Sequence, residues 1–225
     1  MNGSTDGLRR VDPGYKAPRG QIRFSKTELL HIIAAIVVLS IAFSVIMMKG
    51  NSILVPGDPT MNTVYIVGFS FILVIFSFFV HELGHKFVAQ KYNAWSEFRA
   101  YPFGLAFALI ISIVAGFLFA APGAVYIKGN IDRVMNGKIS LAGPAVNFMI
   151  AAIAIVICFI LTEGTLIYSI FSMLAYLNAF LGLFNMIPVL PFDGSKIVAW
   201  DLKIYIATVI VGVIEFAVVW MYILN

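Results

Sequence analysis

Charge is what this sequence lacks over most of its length. Five stretches, Leu29 to Met48, Thr63 to Val80, Ala100 to Ile127, Ile139 to Thr162 and Thr165 to Phe192, hold no Lys, Arg, Asp or Glu, and a sixth, Ile204 to Leu224, holds only Glu215. Each is near or above the roughly 20 residues that carry a helix across a bilayer. That excludes a water-soluble protein and leaves no room for a second, soluble domain. Cysteine is nearly missing as well. Cys158 is the single one and lies inside an apolar run, so disulfides play no part and helix packing is its expected role. Basic clusters interleaved with aromatics are also lacking. The net charge of +4 is therefore read as a sign of membrane orientation, and no nucleic-acid partner is expected.

What is present in excess is apolar surface. Hydrophobic residues make up 61% of the 225, and the mean hydropathy is +0.96, as in an integral membrane protein. Residues 1–25 are expected to form a flexible cytoplasmic tail ahead of a single transmembrane domain at 26–225. The tail is polar, contains Gly and Pro, and carries Arg9, Arg10, Lys16 and Arg19, a composition suited to touching anionic membrane lipid. Its length and polarity speak against the start of a signal peptide.

Histidine is scarce, with three in the chain, yet two of them fall in His81-Glu82-Leu83-Gly84-His85 at the end of an apolar run. On a helix, positions 81 and 85 lie one turn apart on one face, so two imidazoles can converge on one ion while Glu82 sits beside them. Two histidine ligands and a non-ligand glutamate able to take a proton from water are the spacing of a zinc hydrolase. The third histidine, His31, lies near the start of the first apolar run and reads as an interfacial polar residue.

Topology follows from the basic residues. Arg23, Lys26 and the tail place the start of the first helix, about Lys26 to Met48, in the cytoplasm. The link Lys49 to Asn62, with Pro56, Gly57, Asp58 and Pro59, turns outside, and the second helix, Thr63 to about Tyr92, returns with Lys86 and Lys91 at its exit. Counting back from Lys91 puts the histidine pair about 10 Å inside the cytoplasmic boundary. The segment Ala100 to Ile127 is too long for one straight crossing at about 42 Å, and Gly104, Gly116, Pro122 and Gly123 favour a broken path. If it dips in and returns, 14 of the 15 Lys and Arg residues lie on the cytoplasmic side, with only Lys49 opposed. Such backbone survives at membrane depth only when covered by protein or lining a wet cavity, so it is expected against the active centre.

Two further helices, Lys138 to Thr162 and Thr165 to about Ile187, meet at the Glu163-Gly164 turn. The second ends in Asn185-Met186-Ile187-Pro188-Val189-Leu190-Pro191-Phe192-Asp193-Gly194. There two prolines stop the helix and hold the carboxylate in a fixed, non-helical segment. With the re-entrant path, Asp193 arrives on the same side as His81 and His85; with one more full crossing it would lie too far away to share an ion. The expected fold is an all-α polytopic membrane protein of about five to six transmembrane helices, with a re-entrant segment around 100–127.

These residues resemble the site-2 protease family of intramembrane zinc metalloproteases. Three motifs carry the likeness: His81 to His85, Gly143-Pro144-Ala145-Val146-Asn147, and Asn185 to Gly194 with its proline pair and Asp-Gly. The resemblance implies that His81, His85 and Asp193 bind one zinc ion, that Glu82 is the general base, and that Asn185, with Asn147, holds the substrate backbone or the developing oxyanion. It also implies transmembrane protein substrates, while the basic residues and the shared ligand side lead to an expected cell-membrane location with the active site toward the cytoplasm. Ser195 stands where the family often has a second glycine, no PDZ-like insertion is present, and the long apolar run after the histidines is unlike the usual short, partly stranded region. Glu97 is a competing third ligand, ranked below Asp193 because it stands in a charged loop beside Arg99. Two alternatives of another class stay open: a membrane metal carrier with the same ligands, and an inactive relative that binds helices without cutting them. Glu215 is read equally as functional or as a hydrogen-bonded structural residue.

Overall fold

The computed structural model describes residues 23–50, 59–116 and 122–224. The tail expected at 1–25 lies almost wholly outside the described residues, as does most of the turn expected after Lys49. Among the described residues, five helices are long and apolar enough to cross a membrane: α1 (Lys26–Lys49), the continuous helix Pro59–Lys91, α5 (Arg133–Cys158), α6 (Leu166–Asn185) and α8 (Leu202–Tyr222). The helix Pro59–Lys91 consists of α2 (Pro59–Val74), one π-helical turn (Ile75–Phe79) and α3 (Val80–Lys91). It starts at Pro59, four residues before the sequence reading, because proline is well tolerated in a first helical turn.

Polar caps set the helix starts. Ser25 accepts the Glu28 N–H, Asp132 the Met135 N–H, Thr165 the Tyr168 N–H, and Asp201 the N–H groups of Lys203 and Ile204. In the main buried cluster Phe43, Phe69, Leu73, Ile155, Leu174 and Val219 meet, bringing α1, α2, α5, α6 and α8 together. The face that remains outside is apolar: Ile33, Val114, Ile153, Phe159, Ile210 and Trp220 are all exposed, as suits hydrocarbon surroundings.

The segment around 100–127 doubles back. Strand β1 (Trp95–Ala100) pairs antiparallel with β2 (Gly123–Lys128), from Trp95 opposite Lys128 to Ala100 opposite Gly123. The Tyr101 N–H donates to the Pro122 carbonyl at 2.9 Å, so both ends of the intervening segment meet and it cannot serve as one crossing. Between the strands, α4 (Pro102–Ala115) runs beside α1 and ends at Gly116, whose φ of 73° lies in the left-handed region that closes many helices. The all-α polytopic architecture with a segment that turns back at 100–127 holds, and among the described residues this two-stranded sheet is the one addition to it. A correction concerns Asp193. It opens the short helix α7 (Asp193–Trp200) instead of sitting in irregular backbone, because only the stretch before it, with the two prolines, is non-helical.

Candidate metal centre

Helix α3 carries His81 and His85 on the face turned to α5. The approach is close because α5 presents Gly143 there: a Cβ on Gly143 would lie 2.4 Å from His85 Nε2 and 2.6 Å from His81 Cε1. Helix α7 brings the carboxylate from the other side. It packs tightly on the end of α6, where a Cβ on Gly194 would meet the Met186 carbonyl oxygen at 2.2 Å. The result is a convergence of three donors. His81 Nε2 and His85 Nε2 lie 3.1 Å apart, and Asp193 Oδ2 is 3.5 Å from the first and 3.1 Å from the second. All three residues are buried, and among the described residues they form the group whose ligand atoms lie within 4.8 Å of one another.

The hydrogen bonds behind the imidazoles decide what those nitrogens offer. His85 Nδ1 is 2.8 Å from the Ile139 carbonyl oxygen, which can only accept, so Nδ1 carries the proton and Nε2 presents a lone pair. His81 Nδ1 is 2.5 Å from Asn147 Oδ1. The Asn147 amide is fixed in that sense because its Nδ2 donates to the Ser77 carbonyl and to Asn178 Oδ1, each at 2.8 Å. Two imidazole lone pairs and one carboxylate oxygen, each ring oriented by an oxygen behind it, fit a zinc ion with one position left open. For Asp193, burial alone would raise the carboxyl pKa, and the neighbouring His85 and His81 outweigh it, holding the group below the usual carboxylate range. Its other oxygen, Oδ1, faces Lys196 Nζ at 3.5 Å.

The donors line a cavity of about 560 Å³ shared with Glu82, Asn185, Tyr101 and strand β2. Asn185 donates Nδ2 to the Leu181 carbonyl of its own helix at 2.9 Å while lining that space. Tyr101 bonds Tyr126, which pushes its phenol pKa up to about 12, with burial adding to the effect, so it remains a neutral O–H group at the cavity wall. Asn147 does not line the cavity: it stands completely buried behind His81 with both amide hydrogens donated, leaving none for substrate. Glu97 is paired with Arg99 in β1, away from the imidazoles. Glu215 has one buried carboxylate oxygen without a hydrogen-bond partner among the described residues and stands outside this cavity.

Two residues of this arrangement escaped the sequence reading. Asn178 donates to Ser77 Oγ at 2.9 Å and accepts from Asn147, and Ser77 lies in the π-helical turn, a type of irregularity that recurs at functional sites. The available signal was the one already used for Asn147, an amide inside a charge-free membrane run that must find a partner.

Residues 160–205 match the family model described as Peptidase family M50. A protein of Methanocaldococcus jannaschii that bears the name of a zinc metalloprotease is 40% identical over 180 residues, covering 80% of this chain and 87% of the relative. A second zinc metalloprotease of the same organism is 29% identical over 64% of this chain and 38% of its own length, and a Bacillus subtilis protein with such a name is 30% identical over 56% and 66%. No solved structure matches the chain. The length and level of the first of these likenesses establish that the chain belongs to peptidase family M50, the site-2 protease family of intramembrane zinc metalloproteases.

Proposed function

We propose that the protein is a zinc endopeptidase that hydrolyses a peptide bond within or near the transmembrane helices of other membrane proteins. The observation that carries the reading is the meeting of His81, His85 and Asp193, with Glu82 on the wall of the same cavity. These three side chains would hold one zinc ion, which when bound supplies Lewis-acid polarisation and lowers the pKa of water toward about 7. Glu82 takes the proton of the attacking water and later returns it to the leaving amine. Asn185 uses one amide hydrogen within its helix and offers the other to the developing oxyanion. Asn147 is assigned to hold the His81 ring, not to touch substrate.

A substrate helix hides its peptide bonds in intrahelical hydrogen bonds, so it has to unwind before attack. An extended segment then needs partners for its backbone. The register supplies them. The N–H of Phe98 points to Glu28 and that of Ala100 to His31, so their pairs with Val125 and Gly123 are the non-hydrogen-bonded ones. By the same alternation, the N–H and C=O groups of Gly123, Val125 and Ile127 point to the outer edge of β2. That edge borders the cavity that Glu82 also lines. Charge bias supports a cytoplasmic N-terminus and an active site near the cytoplasmic side.

The test is metal analysis of purified protein together with cleavage of a model membrane peptide, before and after chelation. The expected result is one zinc per chain, cleavage lost with the metal and regained with zinc. Zinc that exchanges across a vesicle membrane without any peptide cleavage would favour a carrier and overturn the reading.

A further inference from the structure

The small sheet has two outer edges, and among the described residues the one along β1 is the edge whose outward groups are bonded by side chains of other elements. Along β1, the Ser96 carbonyl accepts from Lys86 Nζ at 3.0 Å, the Phe98 N–H donates to Glu28 Oε1 at 2.9 Å, and the Ala100 N–H donates to His31 Nδ1 at 3.1 Å. Two residues along a strand span about 6.7 Å and three along a helix about 4.5 Å, so Glu28 and His31, one turn apart on α1, reach alternate amides with their side chains. A membrane helix thus does for β1 what a neighbouring strand would do.

The same acceptor fixes the sheet to the helix that carries the imidazoles. Glu28 and Lys86 are almost completely buried, with Lys86 Nζ 2.7 and 2.8 Å from the two carboxylate oxygens and 4.5 Å from the centre of the Phe24 ring. Lys86 directly follows His85. One buried carboxylate therefore ties α1, α3 and β1 together. At its far end α1 holds α4 too, through Lys49 Nζ on the Ile113 carbonyl at 2.5 Å.

We propose that Glu28 and His31 are positioning residues: they close the rear edge of the sheet and, through Lys86, set the open β2 edge at a fixed place beside the metal centre, so that an extended substrate adds on that side alone. The proposal rests on the protease reading above. Satisfying buried polar groups accounts for each bond singly; it does not account for α1 acceptors on successive outward amides of one edge while the opposite edge faces the cavity.

The experiment uses the full chain in lipid nanodiscs with a model transmembrane peptide, and compares His31→Phe, which keeps a ring without an acceptor, with His31→Gln, which restores an acceptor oxygen. Affinity is measured by peptide binding in a Glu82→Gln background, so the outcome does not depend on cleavage. Hydrogen exchange is followed over residues 95–101. The expected result for His31→Phe is faster exchange over that segment, unchanged zinc content and about tenfold weaker peptide binding, the size of one lost buried hydrogen bond, with His31→Gln close to wild type. Peptide binding unchanged by His31→Phe, or zinc lost with it, would overturn the proposal. Failure of the wild type to cleave while His31→Phe still weakens binding would instead count against the protease reading alone.

Discussion

Asn147 Oδ1 lies 2.5 Å from Nδ1 of His81, across 66 residues of sequence, and it is the only side chain bonded to that nitrogen among the described residues. The bond fixes the tautomer and the ring plane of a ligand without touching the metal position. Asn147→Ala is therefore expected to lower zinc affinity by about 10–100-fold, the usual cost of losing an orienting partner. Zinc titration against a competing chelator measures it. Retention of wild-type affinity would remove Asn147 from the centre. Asn178→Ala, one bond further back, should give a smaller loss in the same assay.

Glu82 and the histidines occupy the same helical turn but have separable duties. Glu82→Gln should keep one zinc per chain while cleavage of a membrane peptide falls by about 10²- to 10⁴-fold, the range for removing a general base. Parallel loss of zinc would mean that Glu82 is a ligand.

For the third ligand, Asp193→Asn is the decisive substitution. Its oxygen stands 3.1 Å from His85 Nε2, whereas Glu97 pairs with Arg99. Zinc content should drop in Asp193→Asn by more than in Asn147→Ala and stay unchanged in Glu97→Gln. Unchanged zinc in Asp193→Asn would return the third position to another residue.

Gly143 allows α5 to lie against the two rings. In Gly143→Ala the new methyl would enter at 2.4 Å from His85 Nε2, so we expect lost zinc and a destabilisation of about 1–3 kcal/mol as the helices are forced apart. Gly68→Ala, where nothing lies within 4 Å of the added atom, should be neutral or stabilising by up to about 1 kcal/mol. Thermal unfolding in detergent with metal analysis distinguishes the two.

The open edge of β2 can be tested without disturbing its pairing. Ile127 has its N–H on the outer side, so Ile127→Pro removes a hydrogen bond only from a strand added there. KM for a membrane peptide should rise by about tenfold with zinc content unchanged. An unaltered KM would mean that substrate binds elsewhere.

The sequence by itself determined that this chain lives in a membrane, since runs without charge have no other stable setting, and that two imidazoles one turn apart sit beside a glutamate. The basic residues also carried enough information to anticipate that the segment around 100–127 returns to its starting side, because a single crossing would have stranded Lys128, Arg133 and Lys138. Hydrophobic periodicity gave no help, as helices surrounded by lipid and by other helices are apolar all round. What only the tertiary structure decided was the pairing of distant parts: that Asp193 opens α7 against the imidazoles, that Asn147 turns its amide to His81 and not to the cavity, and that two short strands close on each other around α4. Those outcomes depend on which backbone groups find partners at membrane depth, and in a chain where water is excluded that accounting is settled by contacts between segments far apart in sequence.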